Sequence, residues 1–435
     1  MKSEHVIFWH RRDLRIHDNA GLYKALKNNK KVVPLFIFDQ TILHKLESND
    51  SRVLFIYNEI KKLKEEYQSY GSDLLVYSGD PTKIIPELTQ ELNCSKVYTN
   101  RDYEPYAIKR DKSIYEKLTK HDIEFIGSKD HVIFEKNEVV KNDGTPYLVF
   151  TPYSKKWKTL FVTEYESCFD SLKLVDHLFS TDSKQNLIGL HEMKFEGFEI
   201  DQPPKDVSNA TIKSYQKNRN FPSKNGTSRL GIHLRFGTIS IRELVNKSKS
   251  LSETFINELI WRDFYQMIIF HFPHSAENSF RKEYDLIEWE NDMTHFELWC
   301  EGKTGYPIVD AGMRELNCTG YMHNRVRMIV ASFLTKHLLI DWRLGEGYFA
   351  GKLLDYELAS NVGGWQWAAG SGCDAAPYFR IFNPTTQQQK FDSSFEYIKK
   401  WVPDFGTKNY PSPIVEHKYA RERALHRYKK GLKKL

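Results

Sequence analysis

The opening stretch MKSEHVIFWHRRDLRIHDNAGLYKALKNNKKVVPLFIFDQ, residues 1–40, holds two short apolar runs, VIFW at 6–9 and VVPLFIF at 32–38, with a largely polar segment between them. Unbroken apolar runs of this length are what strands covered on both faces require. The pattern continues outward. DLLVYSG at 73–79 and SKVYTN at 95–100 read as further buried strands, and VLFIYNEIKKLKEEYQSYG reads as a crossover helix ending at Gly71. Residues 1–130 are therefore expected to form an α/β domain on a parallel sheet of the Rossmann-like kind. Neither GxGxxG nor GxxxxGK with a following Ser or Thr succeeds the first strand, so nothing supports a dinucleotide or nucleoside triphosphate site of those types.

Between about 131 and 205 the periodicity fades into a polar connector ending in DQPPKD, expected to wrap one domain onto the other. From 206 to 435 strand signals vanish and helical ones dominate, as in SETFINELIWRDFYQMIIFHF, so an all-helical second domain is expected. A chain of 435 residues is too long for one ordinary core and suits this division. Its 40% apolar and 14% aromatic content excludes global disorder. The five cysteines lack metal-type spacing and read as reduced thiols of a cytoplasmic protein; no metal site is expected. The N-terminal apolar patch is cut short by charges, and no apolar run approaches the ~20 residues of a membrane span, so a soluble protein is expected. The net charge of +6 resides in Glu416–Leu435, where eight Lys or Arg face two Glu. The preceding residues balance. Any nucleic-acid surface there must arise from segregated charge, and the tail reads as a solvated basic end in preference to a basic helix touching phosphate.

Three stretches carry chemistry. NVGGWQWAAGSGCDAAPYFRIFNP, residues 361–384, has four glycines, two tryptophans and little periodicity, which suits a segment built around a ligand. Glu258, Trp261, Arg262 and Tyr265 share one helix face at i, i+3, i+4 and i+7. On their own they would make an ordinary surface stripe. Asn324 and Met328 stand four apart beside Arg325 and Arg327, joining an amide able to pair with a base edge to an adaptable apolar side chain.

These stretches, with FWHRRDLRIHDN at 8–19, GTSRLGIHLRFGTIS at 226–240 and MHNRVRM at 322–328, resemble the cryptochrome and DNA photolyase family over nearly the whole chain, most closely its bacterial class I members that act on cyclobutane pyrimidine dimers. The resemblance implies an FAD-binding helical domain. It assigns Tyr215, Thr227, Ser228, Arg229, Leu230 and Gly231 to the phosphates and ribityl chain. Arg262, Arg327, Asp355 and Glu357 fall around the flavin ring and ribose, and Asn361 at the flavin N5. Glu357 stands where the family usually has Asp, and Gly231 where it often has Ser. Glu258, Trp261, Asn324, Arg325, Met328 and Trp367 correspond to the lesion and DNA site. Trp365, Trp342 and Trp289 correspond to the family's electron-transfer triad.

The implied activity is light-driven deoxyribodipyrimidine photolyase chemistry. Reduced FAD absorbs near-UV or blue light and passes an electron to a dimer flipped out of the duplex; the dimer splits and the electron returns. The implied partner is UV-damaged DNA, met by a monomer in the cytoplasm that associates with the nucleoid when bound. The alternative is a cryptochrome-type photoreceptor, disfavoured by Asn361, the lesion-pocket set and the short tail. A pyrimidine-pyrimidone enzyme would be expected to place a histidine where this chain has Met328. An electron-transfer flavoprotein would need no lesion pocket. For a second, antenna chromophore the resemblance favours a deazaflavin or flavin over folate. Tyr106 and Ala107 replace the Asn-Glu pair of folate binders, and FIFDQTIL at 36–43 with Tyr103 and Tyr106 matches the flavin-type members.

Overall fold

A computed structural model describes residues 5–164, 168–197 and 202–433. Five strands, β1 (Val6–His10), β2 (Val32–Asp39), β3 (Leu75–Gly79), β4 (Lys96–Asn100) and β5 (Glu124–Ser128), form one parallel sheet in the order β3-β2-β1-β4-β5. β1 and β2 are buried along their whole length, as their unbroken apolar runs require. β5 escaped the sequence reading because EFIGS is an edge strand, mostly half-exposed, and lacks the apolar run of its neighbours. The helices α1 (Ala20–Asn28), α2 (Ser51–Ser69), α3 (Pro81–Glu91) and α4 (Pro105–Thr119) alternate with the strands. Asn19, Asp50 and Asp80 cap the first three by accepting backbone N–H groups of the first turn, and Pro opens the last two, where its missing N–H costs nothing.

The chain divides into two compact units, one of Met1–Val139, Lys156–Lys205 and Leu230–Ser250, the other of Val140–Lys155, Asp206–Arg229 and Leu251–Leu435. The stretch read as a connector thus contributes Lys156–Lys205 to the first unit. In it, Leu178 bridges β2 at Val32.

The described part of the second unit is helical. α5 (Glu253–His271) is capped by Ser252, whose side chain accepts from the Phe255 N–H. It packs on α8 (Leu358–Ala369), which also meets α6 (Asn324–Ser332) and α7 (Trp342–Lys352). Residues 361–369, read as irregular, are therefore helix. Gly363 is there for packing: a side chain on it would begin 2.3 Å from the Tyr265 ring, so the glycine lets α5 and α8 approach. The basic tail is also not a free end. It forms α9 (His417–Leu432), which buries Ala420, Ala424, Tyr428 and Gly431 and pairs Arg423, Arg427 and Lys430 with Glu288 and Glu290.

Candidate functional site

α5 holds its four marked residues as the spacing predicts, and each finds a partner in the second unit. Glu258 pairs with Arg219, a residue the motifs did not mark. Burial pushes the Glu258 carboxyl upward, against the pull of Arg219. Trp261 lies face to face with Phe150, ring centroids 3.8 Å apart. One turn on from Glu258, Arg262 donates to Glu357 Oε1 at 3.1 Å, and Glu357 Oε2 accepts from Ser360 at 2.8 Å. A single helix therefore serves two neighbourhoods, one with Glu258 and Trp261, the other with Arg262 and Glu357.

In the second neighbourhood, Arg327 donates to both carboxylate oxygens of Asp355, at 2.9 and 3.1 Å, and to the Met322 carbonyl at 2.7 Å. Asn361 is nearly buried; its amide nitrogen donates to the Glu346 carbonyl at 3.2 Å and carboxylate at 2.9 Å. That use of the nitrogen leaves the Asn361 oxygen as the end able to accept from a ligand. Burial raises the Glu346 carboxyl, with the Asn361 bond opposing. Thr227 Oγ1 and the Tyr321 hydroxyl are 3.2 Å apart, and the Arg229 guanidinium lies 4.1 Å from the Tyr321 ring centre. Tyr215 packs edge-on against Phe255. Leu230 and Gly231 belong to the first unit, at the start of the helix Gly231–Phe236.

Asn324 is exposed, while Arg325 donates to Asn220 Oδ1 at 2.7 Å and to the Met328 sulfur at 3.5 Å. Positive charge crowds here. Burial and the neighbouring Arg219 and Arg380 lower Arg325. Burial together with Arg327, Arg325, Arg219 and Arg229 pushes His323 down to about 4. His323 is 3% exposed and its Nε2 has no hydrogen-bond partner. Guanidiniums converging on an already neutral histidine suit anionic groups such as phosphates.

The three marked tryptophans are arranged around one core. Trp365 and Trp342 are buried in the same apolar cluster, and Trp289 sits half-buried at its rim, edge-on to Tyr428 at 5.9 Å. Gly345 of α7 admits Trp365: a side chain there would start 2.2 Å from its ring, one turn from Trp342. Trp299 joins them at 6.1 Å from Trp365, its indole N–H donated to the Val330 carbonyl. Trp367 lines a small apolar hollow with Tyr265, Phe280 and Gly363.

In the first unit, Tyr106 donates to Asp39 at 2.7 Å, inside the FIFDQTIL segment, whereas Tyr103 is buried and donates to Glu135. Gln40, Leu43 and His44 line an open hollow of about 380 Å³ with residues 192–195.

Comparison with known proteins first defines the class. The family model for the FAD binding domain of DNA photolyase matches residues 255–407, and that for DNA photolyase matches 6–168. The chain is 37% identical to the deoxyribodipyrimidine photo-lyase of a Synechococcus strain, covering 95% of this chain and 94% of that one. It superposes on a bacterial class III photolyase from Agrobacterium tumefaciens with a TM-score of 0.88 at 33% identity, over 100% of this chain and 99% of the other. An archaeal photolyase from Sulfolobus tokodaii, described with two FAD molecules, gives 0.84 at 35% identity, over 98% and 100%. The chain belongs to the cryptochrome and DNA photolyase family, and the class III likeness shows that its fold does not single out class I.

Proposed function

We propose that this protein is a light-driven deoxyribodipyrimidine photolyase that repairs cyclobutane pyrimidine dimers in DNA. The observation that carries the reading is α5, which binds Glu258 and Trp261 into one neighbourhood and Arg262 into the next, so that a lesion site and a flavin site share one rigid element. When bound, FAD supplies light-driven one-electron chemistry that side chains lack. The residues present fit it. Arg327 with Asp355 and Arg262 with Glu357 form two ion pairs able to hold polar edges of a ring system, and Asn361 offers a fixed amide oxygen. Tyr215, Thr227, Ser228, Arg229, Leu230 and Gly231 would serve the phosphates and ribityl chain.

Glu258 hydrogen-bonds the dimer, its carboxylate oxygens accepting from base N–H groups. Trp261, Trp367 and Met328 give apolar surface to the splayed bases, Asn324 a base-edge partner, and Arg325 a phosphate contact. Trp365, Trp342 and Trp289 relay electrons inward when the flavin must be reduced. Two variants test the reading together. Glu258→Ala should lower repair per absorbed photon with FAD content intact, since a charge-assisted bond contributes roughly 1.5–3 kcal/mol. Trp365→Phe should stop photoreduction of oxidised FAD yet spare repair by chemically reduced protein. Loss of FAD in the first, or equal loss of both activities in the second, would reassign these residues to cofactor packing.

The hollow beside residues 40–44 and the Tyr106–Asp39 bond support a deazaflavin or flavin antenna in the first unit. Mass spectrometry of chromophores released from protein made in its native host should find one of these; folate would refute the assignment. The protein acts as a cytoplasmic monomer that joins the nucleoid through damaged DNA. Among the described residues no helix is long and apolar enough to cross a membrane.

A further inference from the structure

The residue that covers Trp261 lies outside every sequence motif. Phe150 stacks on its ring at 3.8 Å with the planes within 3°, and meets Phe264 edge-on at 6.0 Å. The turn that carries it is anchored along α5. Tyr153, 1% exposed, packs on Phe264 at 5.2 Å, and Ser154 Oγ donates to Asn257 Oδ1 at 3.4 Å. At its other end, the Phe150 backbone N–H donates to Asp374 Oδ2 at 3.0 Å. Asp374 lies in the segment that follows Trp367, where the Ala376 N–H returns to the Trp367 carbonyl at 3.3 Å. Phe150 is thus stacked on one tryptophan of the lesion pocket and hydrogen-bonded to the segment leaving the other.

A tryptophan that must receive a base loses affinity if its ring has to be ordered on binding. Face-to-face contact with a second ring, itself fixed by the backbone, removes that freedom beforehand. It also occupies one face for good. A flipped pyrimidine can then use only the opposite face.

We propose that Phe150 is a positioning residue for substrate, setting the angle and the open face of Trp261 and bracing it to the Trp367 segment through Asp374. The inference rests on the lesion-pocket reading above. Three variants test it in the dark, by affinity for a dimer-containing oligonucleotide and for the undamaged oligonucleotide of the same sequence. Phe150→Leu keeps apolar bulk but loses the flat ring, Phe150→Tyr keeps the ring, and Asp374→Ala removes the brace. Phe150→Leu should reduce the damaged-to-undamaged affinity ratio roughly three- to tenfold, the range expected of one aromatic pair. Undamaged-DNA affinity and bound FAD should stay as in the parent protein, Phe150→Tyr should retain the ratio, and Asp374→Ala should lower it more mildly. An unchanged ratio in Phe150→Leu overturns the proposal. So does a parallel fall in FAD content and in affinity for both DNAs, which is what a merely structural role would produce. A parent protein with no preference for the dimer would instead bring down the pocket reading, and this inference with it.

Discussion

In the α/β unit, the buried arginines Arg15 and Arg242 are met by carboxylates: Asp130 bonds both, at 2.8 Å each, and Asp18 bonds Arg242 at 3.0 Å. In the helical unit, Arg325 is met by the Asn220 amide and a methionine sulfur, and Arg229 by the Tyr321 ring. The same side chain is used in two ways. Where charge is balanced and dry, as with Asp18 and Asp130 at 0% exposure, the arginines hold the fold together. Where Arg325 and Arg229 meet an amide, a sulfur and a ring instead of a carboxylate, beside the acid-paired Arg219 and Arg327, positive charge is left in excess, and the cost appears in the lowered His323 and Arg325.

Removing one partner from each region should break this contrast most sharply. Asp130→Ala removes the carboxylate partner of the buried Arg15 and leaves Arg242 with Asp18 alone, and should cost about 3–5 kcal/mol of unfolding free energy, read by denaturant titration. Arg325→Ala should change stability by less than about 1 kcal/mol, because it also relieves repulsion from Arg219 and Arg380. Its effect should fall on DNA, weakening damaged and undamaged oligonucleotides alike and reducing the slope of log K against log salt by about 1. Equal destabilisation by the two variants would erase the distinction between the regions.

A smaller effect concerns pH. His323 is held down to about 4 against an ordinary 6.5, so its neutral form is the one the fold favours. The stability it contributes is complete above 6.5 and is lost as pH falls from 6.5 toward 4. Thermal unfolding of the parent and of His323→Gln should converge on acidification. A saturating phosphate-containing ligand should shift the His323 titration upward, since an anion offsets the surrounding arginines. An unchanged titration would place the anion elsewhere.

The α/β sheet was legible because β1 and β2 are apolar without interruption, and the α5 stripe because its residues recur at helical spacing. What eluded the sequence came from contacts between distant segments. Arg219, Phe150 and Tyr321 acquire their roles only by meeting Glu258, Trp261 and Thr227 in space, and no periodicity links those pairs. Gly363 misled in a different way. A glycine pair inside an apolar segment reads as an irregular loop, yet here the first glycine admits the Tyr265 ring and the helix runs on to Ala369.

Light-driven dimer repair is the activity that the paired lesion and flavin neighbourhoods of α5 serve in the proposal above. It is tested most directly by illuminating the reduced, FAD-loaded protein with a dimer-containing oligonucleotide and following the recovery of pyrimidine absorbance. The account predicts multiple-turnover recovery under near-UV or blue light and none in the dark. Reduced, FAD-loaded protein that binds the damaged strand but restores no absorbance on illumination would contradict it.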